Sequence, residues 1–232
     1  MKPRSAGRLL PPAFCLLLSA SCLLLAAFCP QLSAEIIDRI VITVGNQVIT
    51  ESQIDDEIRV TAFLNREKLD LNTDAKRPAA GRLIEQALIK REMGQSRYPL
   101  PEVADASASL ESLKTMYPGE SEFQEALETY GITQDALTRR LWWQLTLLRF
   151  IEYRFRPGIQ VPDSDVQAYY RQQVSEWQQK GIMPIPSLEE SRSQIEEILT
   201  QQRIDQALEQ WIKDTRSQVT IAYHDATLSA KL

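Results

Sequence analysis

β-type alternation occurs at only two places in the chain, and they lie at its opposite ends. Over residues 36–49, Ile36, Ile40, Ile42 and Val44 alternate with polar or second-face residues. Gly45-Asn46 then supplies a turn, and Gln47-Val48-Ile49 returns as a second strand. Gln218 to Tyr223 alternates again through Val219, Ile221 and Tyr223. A hairpin alone is marginal in water. The pattern therefore predicts that the last strand joins the first hairpin, giving a core that is discontinuous in sequence.

Everything between these ends has a helical period. Thr50 reads as an N-cap, with Gln53 completing a capping box ahead of Ile54, Ile58 and Phe63. Pro78 predicts the opening of a helix in which Leu83, Ile84, Ala87, Leu88 and Met93 recur, ended by Tyr98-Pro99-Leu100-Pro101. Helices through Val103, Leu110, Leu113 and Met116, and through Phe123, Ala126, Leu127 and Tyr130, stop at Pro118-Gly119 and Gly131. The next starts near Thr133 and includes Leu137, Leu141, Trp142, Leu145, Leu148 and Ile151. A shorter helix carries Val166, Tyr169, Tyr170, Val174 and Trp177. After the connection at Gly181–Pro186, Ser187 and Glu190 cap a long helix expected to reach about Arg216. The predicted fold class is mainly α with a small antiparallel sheet.

Residues 1–34 read as an export signal. Lys2, Arg4 and Arg8 precede an apolar run from Ala13 to Phe28, Pro30 breaks it, and Ser33-Ala34 offers a cleavage site. The run is shorter than the about 20 residues of a spanning helix; an uncleaved anchor is the alternative. Cys15, Cys22 and Cys29 all lie in this segment. The expected domain over residues 35–223 and the tail over 224–232 therefore offer no disulfide, thiolate metal site or cysteine nucleophile. Three of the 26 basic residues and none of the 31 acidic ones fall in the signal, so the remainder carries a net charge of −8. That balance argues against nucleic acid or anionic lipid as the main partner.

The chemical inventory is thin. His224 is the only histidine, glycines never pair, and no phosphate loop or dinucleotide fingerprint occurs. The reading assigns no catalytic residue, metal site or cofactor. The carboxylate runs Asp55-Asp56-Glu57, Glu189-Glu190 and Glu196-Glu197 read as solvated helix faces and first turns. Trp142 and Trp143 are adjacent on one helix and so about 100° apart. Either one is core and the other packs on a neighbouring helix, or such residues line an exposed apolar groove for unfolded chains. Trp142, Trp143, Phe150, Trp177 and Met116 are the candidate groove residues.

The stretch from Asp38 to Ile54, with Asn46, Ile49-Thr50, Ser52 and Ile54 in order, resembles the N-terminal domain of SurA-type periplasmic chaperones. Val161-Pro162-Asp163-Ser164-Asp165-Val166 with Tyr169-Tyr170 is similar to the helix that, in that family, precedes a parvulin prolyl isomerase domain. Trp211-Ile212 and Val219-Thr220-Ile221 are similar to the family's closing segment. A parvulin domain has about a hundred residues, the size of a compact domain. Here only Lys180 to Pro186 occupies its place, and the family's Gly-Gly motif and histidines are absent. The resemblance thus implies the chaperone module without parvulin catalysis. It implies ATP-independent binding of unfolded clients, outer-membrane proteins above all, in the periplasm, with no stable membrane insertion once the signal is removed. A docking module for one dedicated envelope partner, and weak isomerase activity through another site, are the alternatives. A domain-swapped homodimer stays open, because the distant terminal strand is exchangeable.

Overall fold

The computed structural model describes residues 38–229; the expected signal and its cleavage site lie outside them. The fold is mainly helical with one three-stranded antiparallel sheet. Strands β1 (Ile40–Val44) and β2 (Gln47–Thr50) form the hairpin, and β3 (Ile221–Tyr223) pairs with the other edge of β1. The expected union of the two ends is thus present, with β1 central. Gly45 makes the two-residue turn possible at φ 59°, a region open to glycine at little cost. Its amide donates to the Thr220 carbonyl at 2.9 Å.

Eight helices follow in the described residues. They are α1 (Glu51–Asn65), α2 (Thr73–Gln95), α3 (Val103–Lys114), α4 (Glu120–Tyr130), α5 (Gln134–Arg154), α6 (Asp163–Gln179), α7 (Leu188–Gln218) and α8 (Ala226–Ser229). A 3-10 turn at Arg156–Gly158 joins α5 to the α6 connection. The capping boxes at Thr50–Gln53 and Ser187–Glu190 both form.

Several expectations need correction. Helix α2 opens at Thr73 rather than at Pro78, because Asn72 caps it by accepting from the Ala75 amide at 2.9 Å. Pro78 sits in the second turn and forfeits only the bond to the Asp74 carbonyl. Helix α7 runs on to Gln218, so β3 keeps three residues and Val219 becomes the helix C-cap. Within the expected tail, residues 224–229 pack back on the fold. Leu228 of α8 is buried in the core, and Arg77 Nε donates to the Thr227 carbonyl at 3.0 Å.

The interior consists of three clusters. The first joins the sheet to α1 and α2 through Ile42, Val44, Ile54, Ile84 and Leu88. The second gathers Phe63 of α1, Leu110 of α3, Phe123 and Leu127 of α4, and Leu137 of α5. The third holds Ile89 of α2 with Trp143 and Phe150 of α5, backed by Leu208 and Trp211 of α7. The other half of α7 pairs with α6. There Val166, Ile195 and Ile204 are buried, and Arg192–Asp163 and Arg203–Asp165 tie the two helices.

The inward face of α5 is Leu137, Trp143, Thr146 and Phe150, while Leu148 is exposed. Of the other apolar residues on this helix, Leu141, Trp142, Leu145 and Ile151 are half-buried. Apolar residues surround this helix, and its neighbours decide which face is deepest. Helix α3 covers one side and α2 the other.

Candidate functional site

β2 is an edge strand. Its two-residue turn makes Val44 and Gln47 a hydrogen-bonded pair, and such pairing alternates along the ladder. Gln47 and Ile49 therefore bond to β1, while Val48 turns its N–H and C=O away from the sheet. Val48 is 51% exposed.

Two depressions are lined in part by this strand, and a third shares Lys90 of α2 with both. One, about 380 Å³, runs between β2, α1, α2 and α5, with Asp56, Glu57, Arg140 and Trp143 in its wall. A second, about 570 Å³, lies at the hairpin turn and is lined by Asn46, Gln47, Arg91 and Gly94. The third, about 700 Å³, is the most apolar, lined by Met93, Tyr98, Leu100, Trp142 and Trp143. Its outer wall is the extended segment that follows α2. Pro99 and Pro101 have no N–H to offer, but the carbonyls there are used. Arg149 Nη1 donates to the Leu100 carbonyl at 2.9 Å, and Trp142 Nε1 to the Pro101 carbonyl at 3.1 Å. Side chains of α5 thus hold that wall open.

The floor is polar and closed by charge. Glu57 is buried, accepting from Arg82 Nε at 2.7 Å and from Arg140 Nη1 at 2.5 Å. These contacts tie α1 to α2 and α5. Arg140 Nε is buried without a partner. Lys90 Nζ lies 5.0 Å from the centroid of the Trp143 ring, and desolvation holds its pKa below the usual lysine value.

The candidate groove residues divide. Trp142 and Trp143 both line the third depression, Trp143 being the more buried. Phe150 is a correction: it is 0% exposed, packed against Tyr98, Phe155 and Trp211 at centroid distances of 5.2, 5.9 and 5.4 Å. It is core because it lies on the true inward face of α5. Trp177 lies on α6 against Tyr170, and Met116 is exposed in the loop beyond α3. Neither lines these depressions. Lys90, Met93, Tyr98 and Leu100 were not predicted. The signal for Tyr98 and Leu100 is the Tyr-Pro-Leu-Pro run, which places apolar side chains on an extended segment that cannot pack as a helix. The acidic run at residues 55–57, expected to be solvated, sends Glu57 inward.

His224 is exposed, with Nε2 3.4 Å from Thr43 Oγ1. Among the described residues no group of three or more His, Cys, Asp or Glu is placed to hold a metal ion, and no helix is long and apolar enough to cross a membrane. No protein-family model matches the chain, and no curated protein matches it.

Proposed function

We propose that the protein binds unfolded polypeptide in this groove, without nucleotide and without a catalytic step, as a holding chaperone for exported clients. The observation that carries the reading is the open apolar depression at Trp142, Trp143, Met93 and Leu100, which shares Lys90 and Trp143 with the depression lined by the edge strand β2. An extended chain meets both needs at once. Its side chains enter the apolar space while its backbone bonds to the edge strand, a recurrent mode of peptide recognition. Contiguous exposed apolar surface flanked by polar groups usually marks such sites. The resemblance to SurA-type chaperones and the export signal support a periplasmic location and outer-membrane proteins as clients.

The test is an aggregation assay. A denatured outer-membrane β-barrel protein is diluted into buffer with the purified chain, without nucleotide, and light scattering is followed. We expect suppression at near-stoichiometric ratios. Trp142→Ala and Leu100→Ser, each with an unchanged circular dichroism spectrum, should weaken it. Unchanged scattering with several clients would overturn the reading and favour a single dedicated partner.

A further inference from the structure

We infer that the groove prefers extended segments in which a carboxylate side chain neighbours large apolar ones, with Lys90 as the group that reads the carboxylate. This rests on the polypeptide-binding reading above. Lys90 borders all three depressions, so any segment lying along the groove passes it.

The charge pattern supplies the argument. The chain is acidic, with 31 Asp and Glu against 26 Lys and Arg. Its cations are mostly engaged: Arg82 and Arg140 by Glu57, Arg139 by Asp135, Arg154 by Glu92, Arg149 by Asp105. Lys90, Arg91 and Arg97 border the second and third depressions, and none of them forms an ion pair among the described residues. No carboxylate lines either depression.

The helix itself denies Lys90 a partner. The neighbours on its own face are Gln86, Ala87, Met93 and Gly94. Glu92, the nearest acid in sequence, turns away to Arg154 at 3.0 Å and accepts from the Tyr98 hydroxyl at 3.1 Å. Asp56 of α1, which forms no ion pair among the described residues, lines only the first depression. The groove thus carries unpaired cations at the hairpin turn and the Tyr-Pro-Leu-Pro wall, beside its apolar lining. An exposed ammonium held over the Trp143 ring and without a carboxylate partner is free to pair with an incoming carboxylate.

The experiment measures fluorescence anisotropy of labelled extended peptides with one apolar sequence and Asp, Asn or Lys at a single internal position. Wild type should bind the Asp peptide about tenfold more tightly than the Asn peptide, the scale of one charge-assisted contact. Lys90→Met should erase that difference between the Asp and Asn peptides. Lys90→Glu should favour the Lys peptide. Equal binding of all three peptides by wild type would overturn this inference and leave polypeptide binding intact. Binding of none would overturn both. A preference for Asp that persists in Lys90→Met would also overturn the role of Lys90.

Discussion

Replacing Glu57 with Gln tests whether the buried ion cluster holds the groove's walls together. The Glu57 side chain is 6% exposed, that of Arg140 17% and that of Arg82 38%. Glutamine keeps the volume and one acceptor, but its NH₂ then faces a guanidinium, donor against donor. Removing one partner of a buried pair costs about 3–5 kcal/mol, chiefly by leaving the other charge buried and unpaired. Arg82 is exposed enough to rehydrate, so Arg140 alone is stranded. We therefore expect the lower end, about 3 kcal/mol. For a domain of this size that lowers Tm by about 6–12 °C.

The assay is urea unfolding followed by circular dichroism, as a double-mutant cycle with Arg140→Met. Removing the stranded cation should recover much of the loss, so Glu57→Gln/Arg140→Met should be more stable than Glu57→Gln alone by about 1–2 kcal/mol. A Glu57→Gln cost below about 1 kcal/mol, the value of an exposed ion pair, would refute the reasoning. So would strict additivity of the two substitutions.

Two further predictions concern the clasp of the termini and a helix end. The carboxyls of Asp38, Glu51 and Asp225 are held below their ordinary values, first by hydrogen bonds from Ser52, Lys76 and Thr227 respectively. Because these folded-state values are depressed, their stabilisation is complete above about pH 4.5 and is lost as the pH falls through them. Acidification should loosen the β1–β3 clasp before the helices. Hydrogen exchange checks this, since the His224 amide, which donates to Val41, should lose protection before the α2 amides near Ile84; simultaneous loss would refute it. Gly131 sits at φ 64° after α4, and a Cβ there would lie 2.6 Å from Arg59 Nη1. Gly131→Ala should cost about 1 kcal/mol by strain in the left-handed region, a Tm fall of about 2–4 °C; an unchanged Tm would refute it.

What was legible in the sequence was local chemistry. Thr50 with Gln53, and Ser187 with Glu190, fix helix starts through contacts spanning three residues, so both caps formed where expected. The sheet was legible because period-two patterns occur only at the ends. The face of α5 was not legible. Leu141, Trp142, Trp143, Leu145, Leu147 and Leu148 surround the helix with apolar surface, so no period selects one side. Glu57 was misread for a different reason. Its partners Arg82 and Arg140 lie 25 and 83 residues away, and nothing near residues 55–57 announces them. The cationic rim was hidden in the same way, since an unpaired lysine is recognised only once the positions of all nearby carboxylates are known.

The first depression stands where the three core clusters meet. Ile49 and Ala87 of the first, Val60 of the second and Trp143 of the third all line it. Separately packed cores leave unfilled space at their junction, and close packing elsewhere cannot remove it. Here polar side chains occupy that junction, with Glu57 joining the helices that carry the three clusters. Stability and binding should therefore be separable at one residue and inseparable at another. Lys90 rests on the Trp143 ring but belongs to no core cluster and forms no ion pair among the described residues, so its substitution should change peptide affinity far more than Tm. Glu57 supports the walls themselves, so Glu57→Gln should lower Tm and peptide affinity together. If Glu57→Gln lowered stability but left peptide affinity unchanged, the groove would not depend on the junction, and its shape would be set by the Tyr-Pro-Leu-Pro wall and α5 alone.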